Sequence, residues 1–242
     1  MKAKADARWM FKRQVWTFCL ALIAAVMTVW GFVLLKPAWL LGWGLIAVAA
    51  AWTTRVWTRQ DPIALPYALR WALLIPRPFQ SAGRLKDLLG LHGTERLLEV
   101  GPGTGKYTLP VAAALDSGGT LEVLDIQQPM LDHLMRHAAR AKIANIVPTQ
   151  GDAAKLPYSD ASFDGAFLMT ALGEIPDQDG ALRELHRVLK PGGGLVIGEI
   201  SFDPDFISLP ALRSHLGQMG FVFERKRGPA WAYLARFGKR AV

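Results

Sequence analysis

The residues best suited to chemistry form a glycine-rich turn that directly follows a short apolar run. Gly101, Gly103 and Gly105 alternate with other residues after the run 97–100, which itself contains Glu99. Glycines let the backbone approach a ligand closely, and a turn of this kind at the end of a strand commonly binds a nucleotide. The pattern predicts a small-molecule site at the end of this strand.

Two common nucleotide-binding motifs do not fit this turn. A P-loop needs a glycine five residues before Gly105, where Val100 stands, and a Ser or Thr after Lys106, where Tyr107 stands. The dinucleotide fingerprint needs Gly or Ala three residues after Gly103, and that position is Lys106. The chain therefore carries a G-x-G-x-G turn of another type.

The turn must be positioned by its neighbouring elements, and from about residue 80 short β-rich runs alternate with helical stretches. Such alternation predicts a parallel sheet with helices on both faces, an α/β fold. The predicted strands comprise residues 97–100, 120–126, 145–148, 163–169, 194–200, 221–225 and 231–237.

The turn resembles motif I of the class I S-adenosylmethionine-dependent methyltransferases. Four further stretches resemble later motifs of that family in the same order: 121–125, 151–157, 162–164 and 182–193. The resemblance covers about residues 90–240 and is to the ubiquinone/menaquinone and phospholipid methyltransferase group. It implies a Rossmann-like seven-stranded sheet with a reversed last strand. It also implies S-adenosylmethionine as cofactor, S-adenosylhomocysteine as product, and no metal.

The resemblance also implies roles for individual residues at the cofactor. The turn would meet the methionine part, and the acid that ends the second strand would bind the ribose diol, from which a carboxylate can accept two hydrogen bonds. Asp152 would accept from the adenine amine, or else only form an Asx-turn. Glu99 would contact the amino group, or else brace the loop. The expected cofactor-binding residues are Glu99, Gly101, Gly103, Gly105, Asp125, Ile126, Asp152, Ala153 and Thr170.

Methyl transfer depends mainly on alignment and exclusion of water, and a catalytic base is needed only when the nucleophile carries a proton. The stretch 169–177 lies where family members place substrate-facing groups, but it lacks the His or Asn that many of them carry. Glu174 is a candidate to stabilise an ammonium group or take its proton, and a helix-start or solvent-facing carboxylate is the alternative. Asp132, His133 and His137 have helical spacing and are interpreted as an exposed helix face, not a metal site.

The first 60 residues are predicted to anchor the chain in a membrane. Residues 15–35 and 38–54 carry no charge, and the first run is long enough to cross a hydrocarbon core of about 30 Å. Twelve of the 28 basic residues but two of the 20 acidic ones lie in residues 1–86, flanking these runs. The two runs are predicted to form a membrane-spanning or membrane-inserted helical hairpin. The charge favours anionic lipid over nucleic acid as the partner and predicts that both ends of the hairpin lie in the cytoplasm. Insertion into one leaflet and a signal peptide are the alternatives.

Residues 61–89 connect this anchor to the predicted methyltransferase domain, residues 90–242. The proline-rich stretch 62–79 contains an amphipathic run from Tyr67, a second candidate to face the substrate, and is expected to lie at the bilayer surface as a lid over the cofactor site. A passive linker or a core helix is the alternative. The expected acceptor is lipophilic: foremost a phospholipid amine headgroup, otherwise an isoprenoid quinone or a hydrophobic thiol or phenol. A non-catalytic cofactor-binding membrane module is the rival from another class.

Overall fold

The structure is a computed structural model that describes residues 46, 48–49, 52–53, 55–56, 62–116 and 118–240. The chain divides into two compact units, Met1–Asp61 and Pro62–Val242. In the first unit the described residues are helical, and the Thr53 hydroxyl donates to the Ala49 carbonyl at 3.0 Å. The predicted apolar span 15–35 and much of 38–54 lie outside the described residues. Within the described part of the chain, no helix is long and apolar enough to cross a membrane.

The second unit is built on a seven-stranded sheet with the order β3-β2-β1-β4-β5-β7-β6. Neighbouring strands run parallel except β7, which is antiparallel to both β5 and β6. The predicted α/β sheet with one reversed strand is therefore confirmed. The strands are β1 (Arg96–Val100), β2 (Thr120–Asp125), β3 (Ile146–Gln150), β4 (Phe163–Met169), β5 (Leu189–Ile200), β6 (Phe221–Arg227) and β7 (Ala232–Lys239).

Helices connect these strands, and several begin or end at residues suited to capping. The Ser81 side chain accepts from the Arg84 amide at 3.3 Å at the start of α1, which ends at Gly90 with a φ of 67°. Asp177 caps α4 in the same way. The helices are α1 (Ala82–Leu89), α2 (Thr108–Ala112), α3 (Gln128–Arg140), α4 (Gln178–Val188) and α5 (Leu209–Gln218), with 3-10 helices at Tyr67–Leu74 and Leu172–Glu174.

The sheet is buried on both faces, as a mostly parallel sheet requires. Adjacent residues of β1 show this directly: Leu98 packs in one apolar cluster with Phe163, and Leu97 packs in the other with Phe167. The alternation of side chains across a strand therefore divides each apolar run between two cores. Because both cores contact every central strand, the ends of those strands are held firmly in place.

Several strand boundaries differ from the sequence prediction by one or two residues, and the start of β5 differs by more. β5 begins at Leu189 and not at Gly194, because Leu189 pairs with Phe163 before the register shifts over the intervening residues. The Lys-Pro-Gly-Gly stretch was predicted to be a turn between helix and strand, and it is instead an irregularity within a longer strand. β3 extends to Gln150 and includes Pro148, which is tolerated because β3 is an edge strand.

The order of the strands indicates where a ligand-binding site would lie. β1 lies between β2 and β4, so successive connections leave β1 in opposite directions along the sheet. Open parallel sheets bind ligands outside the carboxyl ends of their strands at such a switch point. The glycine turn follows β1 directly, at this point of the sheet.

Candidate active site

The glycine turn has a backbone conformation that other residues rarely adopt. Gly101, Gly103 and Gly105 have φ angles of 69°, 55° and 88°. A Cβ atom on Gly101 would lie 2.8 Å from the Cβ of Ala171, and one on Gly105 would lie 2.4 Å from Cδ1 of Leu134. Side chains are therefore excluded by both conformation and space, which leaves backbone groups facing the ends of the strands.

Residues 62–79, hereafter the covering segment, lie directly against this turn. A Cβ on Gly103 would lie 2.8 Å from Cδ1 of Leu73. The Lys106 Nζ donates to the Ile75 carbonyl at 2.9 Å. The 3-10 helix of this segment thus packs on the turn itself, at the position where the sequence analysis expected a lid.

Gln127 fastens the covering segment to the end of β2. Its Nε2 donates to the Leu65 carbonyl at 2.9 Å, and its Oε1 accepts from the Tyr67 amide at 3.0 Å. Its own amide donates to Asp125 Oδ1 at 2.9 Å. The sequence analysis missed Gln127; the only signal was its place two residues after the expected ribose-binding acid.

Glu99 and Asp125 are both buried at the ends of β1 and β2. Burial, with a smaller contribution from the neighbouring Asp125 charge, raises the pKa of Glu99 to about 8. Burial likewise raises the pKa of Asp125 to about 6. Glu99 Oε2 is fully buried and has no hydrogen-bond partner among the described residues. A cationic ligand group at this oxygen would satisfy it.

Glu174 lies at the end of the second 3-10 helix, just beyond β4. Its Oε2 accepts from the Leu65 amide at 2.9 Å, so the covering segment closes over it. Burial raises its pKa to about 8, and the charges of Asp203, Asp205 and Asp125 add to the shift. The residue as a whole is half-buried, so the covering segment shields its carboxyl group from part of the solvent.

A second buried carboxyl group, Glu199, lies near the end of β5. The residue is 2% exposed, and its Oε2 accepts from the Ile207 amide at 3.2 Å. Its Oε1 has no hydrogen-bond partner within the described ranges. Burial raises its pKa well above the usual range, and Asp203 and Glu174 are among the charges that add to this. Sequence analysis missed Glu199, although a lone acid in an apolar strand was a usable signal.

Thr170 follows β4 and holds an arginine of the covering segment. Arg77 Nη1 donates to the Thr170 hydroxyl at 2.6 Å, and that hydroxyl donates to the Met169 carbonyl at 2.7 Å. Thr170 has a φ of 55°, which is strained for a β-branched residue and is typical of functional sites. Arg77 was also missed, because nothing in its sequence context connects it with β4.

The predicted adenine-facing residues lie beside the end of β2. The Gly151 amide donates to the Asp125 carbonyl at 3.1 Å, and Ala153 is buried nearby while Ile126 is exposed. The Asp152 carboxylate accepts from the Ala154 amide at 2.9 Å, so it does form the Asx-turn considered as an alternative. A carboxylate has further acceptor sites, so this turn leaves Asp152 able to accept from a ligand.

Tyr67 contributes its backbone to the site, while its ring packs on α3. The ring centroid lies 6.0 Å from that of His133, and Arg70 Cζ lies 4.4 Å above the ring. His133 itself stacks at 4.4 Å on His137. Among the described residues, no group of three His, Cys, Asp or Glu side chains could hold a metal ion.

The raised pKa values predict that the free energy of unfolding falls as pH rises from about 4.5 to about 8. In this window Glu99 and Glu174 ionise freely in the unfolded chain but retain protons in the folded chain. Glu174→Gln should flatten this dependence, whereas Asp132→Asn on the exposed face of α3 should leave it unchanged. Urea unfolding across this pH range measures the slope. An unchanged slope in Glu174→Gln would contradict the assignment.

The chain is similar to known methyltransferases in both sequence and fold. Residues 97–193 match the family described as "Methyltransferase domain". The demethylmenaquinone methyltransferase of Staphylococcus epidermidis is 39% identical over 106 residues, which are 44% of this chain and 43% of the relative. The 27-O-demethylrifamycin SV methyltransferase of Amycolatopsis mediterranei is 32% identical over 138 residues, 57% of this chain and 50% of the relative. The chain thus spans about half the length of these relatives.

Solved structures share the fold at lower identity. An S-adenosylmethionine-dependent methyltransferase from Aquifex aeolicus superposes with a TM-score of 0.65 at 20% identity, covering 72% of this chain and 98% of that one. The cyclase SpnF superposes with a TM-score of 0.60 at 21% identity, covering 66% and 80%. The same fold therefore occurs in a protein described as a methyltransferase and in one described as a cyclase. Residues 97–193 are therefore similar in sequence to methyltransferase domains, and the second unit has the fold found in S-adenosylmethionine-dependent methyltransferases.

Proposed function

We propose that the protein transfers a methyl group from S-adenosylmethionine to a lipophilic acceptor at the carboxyl edge of the sheet. The observation that carries this proposal is the side-chain-free turn at Gly101 and Gly103, set beside buried acids at the switch point. A non-catalytic module would have no use for two further buried carboxyl groups beyond the turn, Glu174 and Glu199.

The cofactor fits the residues of this edge. The turn would receive the methionine part, and Glu99 Oε2, which is buried and unpartnered among described residues, would accept from its ammonium group. Asp125 would hold the ribose, while Asp152 and Ala153 would meet the adenine, with Ile126 beside it. When bound, the cofactor supplies an electrophilic methyl group on a sulfonium. Thr170 and Arg77 would border this methyl group from the end of β4.

An amine headgroup is the acceptor best supported by the carboxyl groups at β4 and β5. Glu174 and Glu199 lie close enough to interact electrostatically, and both favour their neutral forms in the absence of a cation. An amine nitrogen held at this edge would take the methyl group from the bound cofactor, and the electron pair of the broken carbon–sulfur bond would stay on sulfur. The proton released from that nitrogen would pass to Glu174.

A quinone-type acceptor is the second candidate, and the named relatives favour it. One relative is named as a methyltransferase of demethylmenaquinone and another as a methyltransferase of a demethylrifamycin. This chain spans about half the length of each of these relatives. Glu174, with a pKa near 8, would then take the proton of a hydroxyl group or ring carbon. A hydrophobic thiol or phenol would use the same group in the same way.

Residues 15–54 are proposed as a membrane anchor with both ends at the cytoplasmic face. The support is the pair of uncharged runs in the sequence and the basic residues on either side. Protease added from the cytoplasmic side should cleave the N-terminal 12 residues, which contain Lys2 and Lys4. Protection of this segment would contradict the topology and leave the methyltransferase proposal intact.

Asp125→Ala should weaken binding of S-adenosylmethionine and of S-adenosylhomocysteine. Loss of a charge-assisted hydrogen bond to the ribose should cost about 1.5–3 kcal/mol. Calorimetry measures the affinity, and Asp132→Ala, an exposed acid on the following helix, is the matched control. Unchanged affinity would remove Asp125 from the site, and preferred binding of a nicotinamide cofactor would overturn the proposed function.

Glu174→Gln should reduce methylation of an amine lipid by about 100-fold or more, within the usual range for loss of an acid–base group, and leave cofactor affinity unchanged. Radiolabelled cofactor incubated with vesicles containing phosphatidylethanolamine, or with a demethylated quinone, identifies the acceptor. Transfer to the quinone alone would favour the second candidate. Full activity of Glu174→Gln on either acceptor would exclude a proton-accepting role.

The covering segment is proposed as a lid that admits the acceptor from the membrane. The combined change Tyr67→Ala and Trp71→Ala removes one ring packed on α3 and one exposed ring. Turnover of a vesicle-borne acceptor should fall about tenfold, as expected when a closing element no longer aligns the reactants. Cofactor affinity and membrane attachment should persist. An unchanged rate in the double variant would make the segment a passive linker.

A further inference from the structure

Three exposed aromatic side chains form a cluster at one edge of the second unit. Phe79, Phe202 and Trp231 are 42%, 78% and 40% exposed. The Trp231 ring lies 5.3 Å from that of Phe79 and 6.0 Å from that of Phe202, with both contacts edge-to-face. Three segments far apart in sequence thus bring large apolar rings together at the surface. Because the rings stay exposed to water, they contribute little burial energy to folding, and such a patch is typical of an interaction site.

The cluster lies at the same edge of the sheet as the cofactor turn. Phe202 comes two residues after the end of β5, and Trp231 comes just before β7, whose antiparallel direction returns its start to this edge. The Ser201 amide donates to the Trp231 carbonyl at 2.8 Å, which joins the two loops. Phe79 ends the covering segment. The rings therefore point outward from the edge at which the acceptor must enter.

Phe79 is held in this position at a conformational cost. Its φ is 69°, a left-handed conformation that is unusual for an aromatic residue. The Arg84 Nη1 donates to the Phe79 carbonyl at 3.0 Å, and the Gln80 side chain anchors the next residue by donating to the Glu199 carbonyl at 2.8 Å. Strain that the surrounding structure maintains at an exposed residue indicates a functional role.

A cationic group lies beside the cluster, since Arg84 Cζ is 5.6 Å from the Phe79 ring. The covering segment, which Phe79 ends, also exposes the side chains of Trp71 and Leu74. Aromatic rings beside an arginine suit the headgroup region of an anionic bilayer, where the rings lie among lipid carbonyls and the cation meets phosphates.

We propose that the Phe79–Phe202–Trp231 cluster docks the second unit on the surface of an anionic lipid bilayer. This inference rests on the proposed function, because a lipid-borne acceptor requires the site to face the membrane. The bilayer is favoured over a protein partner by Arg84 beside the Phe79 ring and by the sequence, in which an uncharged run ends at residue 54, a few residues before the covering segment. Docking through these rings would hold the strand ends, and thus Glu174, against the lipid.

The test measures the depth of one position of the cluster in the full chain. Cys19, the single cysteine, is changed to serine, and Phe202→Cys is labelled with an environment-sensitive fluorophore. Thr94→Cys, an exposed position two residues before β1 at the opposite edge of the sheet, is the matched control. Vesicles contain phosphatidylcholine and phosphatidylglycerol in equal parts, with or without nitroxide-bearing lipids that quench the fluorophore.

We expect nitroxide lipids to remove most of the emission at position 202 and little at position 94. Equal quenching at both positions, or none at 202, would overturn the proposal. A blue shift at 202 that needs no vesicles and grows with protein concentration would also overturn it, because it would assign the cluster to contact between copies of the chain. The measurement contains no cofactor or acceptor, so it separates failure of docking from failure of methyl transfer.

Discussion

Close approach of the backbone at the end of β1 is the constraint on which the rest of the site depends. At Gly101 even a methyl group would meet Ala171, and at Gly105 it would meet Leu134, so the turn fits only as bare backbone. The turn can be this tight because β1 is paired on both sides and buried on both faces, which fixes where it ends. The sheet, its two cores and the switch in strand order all serve to hold this turn in place.

The same packing excludes water from the site, and this exclusion raises the pKa values of the carboxyl groups there. The covering segment closes over the strand ends through Leu73, Gln127 and Glu174, and the carboxyl groups beneath it are deprived of solvent. Glu99 and Glu174 consequently favour their neutral forms, which lowers stability near neutral pH. A ligand that brings positive charge to these groups would offset that loss. In the proposed function, the sulfonium cofactor and an amine acceptor each bring such a charge.

The choice of acceptor rests on groups outside the cofactor site. The relatives share the stretch that carries the cofactor motifs, and this chain spans about half of their length, so their named substrates do not determine its own. The buried carboxyl of Glu199 and two of the three rings of the aromatic cluster, Phe202 and Trp231, lie beyond residue 193, where the family match ends. Under the present proposals, these later residues select a lipid-borne amine and hold the site against the bilayer.

The sequence by itself determined the class of the sheet, the order of its motifs and the place of the turn. These are local properties of the chain. Strand periodicity, glycine spacing and the acid Asp125 at the end of a strand can be recognised without knowing what lies nearby in space. The tertiary structure decided which distant residues meet at the site. Leu65 reaches Glu174 across 109 positions and Arg77 reaches Thr170 across 93, contacts that no spacing in the chain could indicate. Burial, and with it every shifted pKa, also arises only when separate segments pack together, because solvent exclusion is a property of the assembled fold.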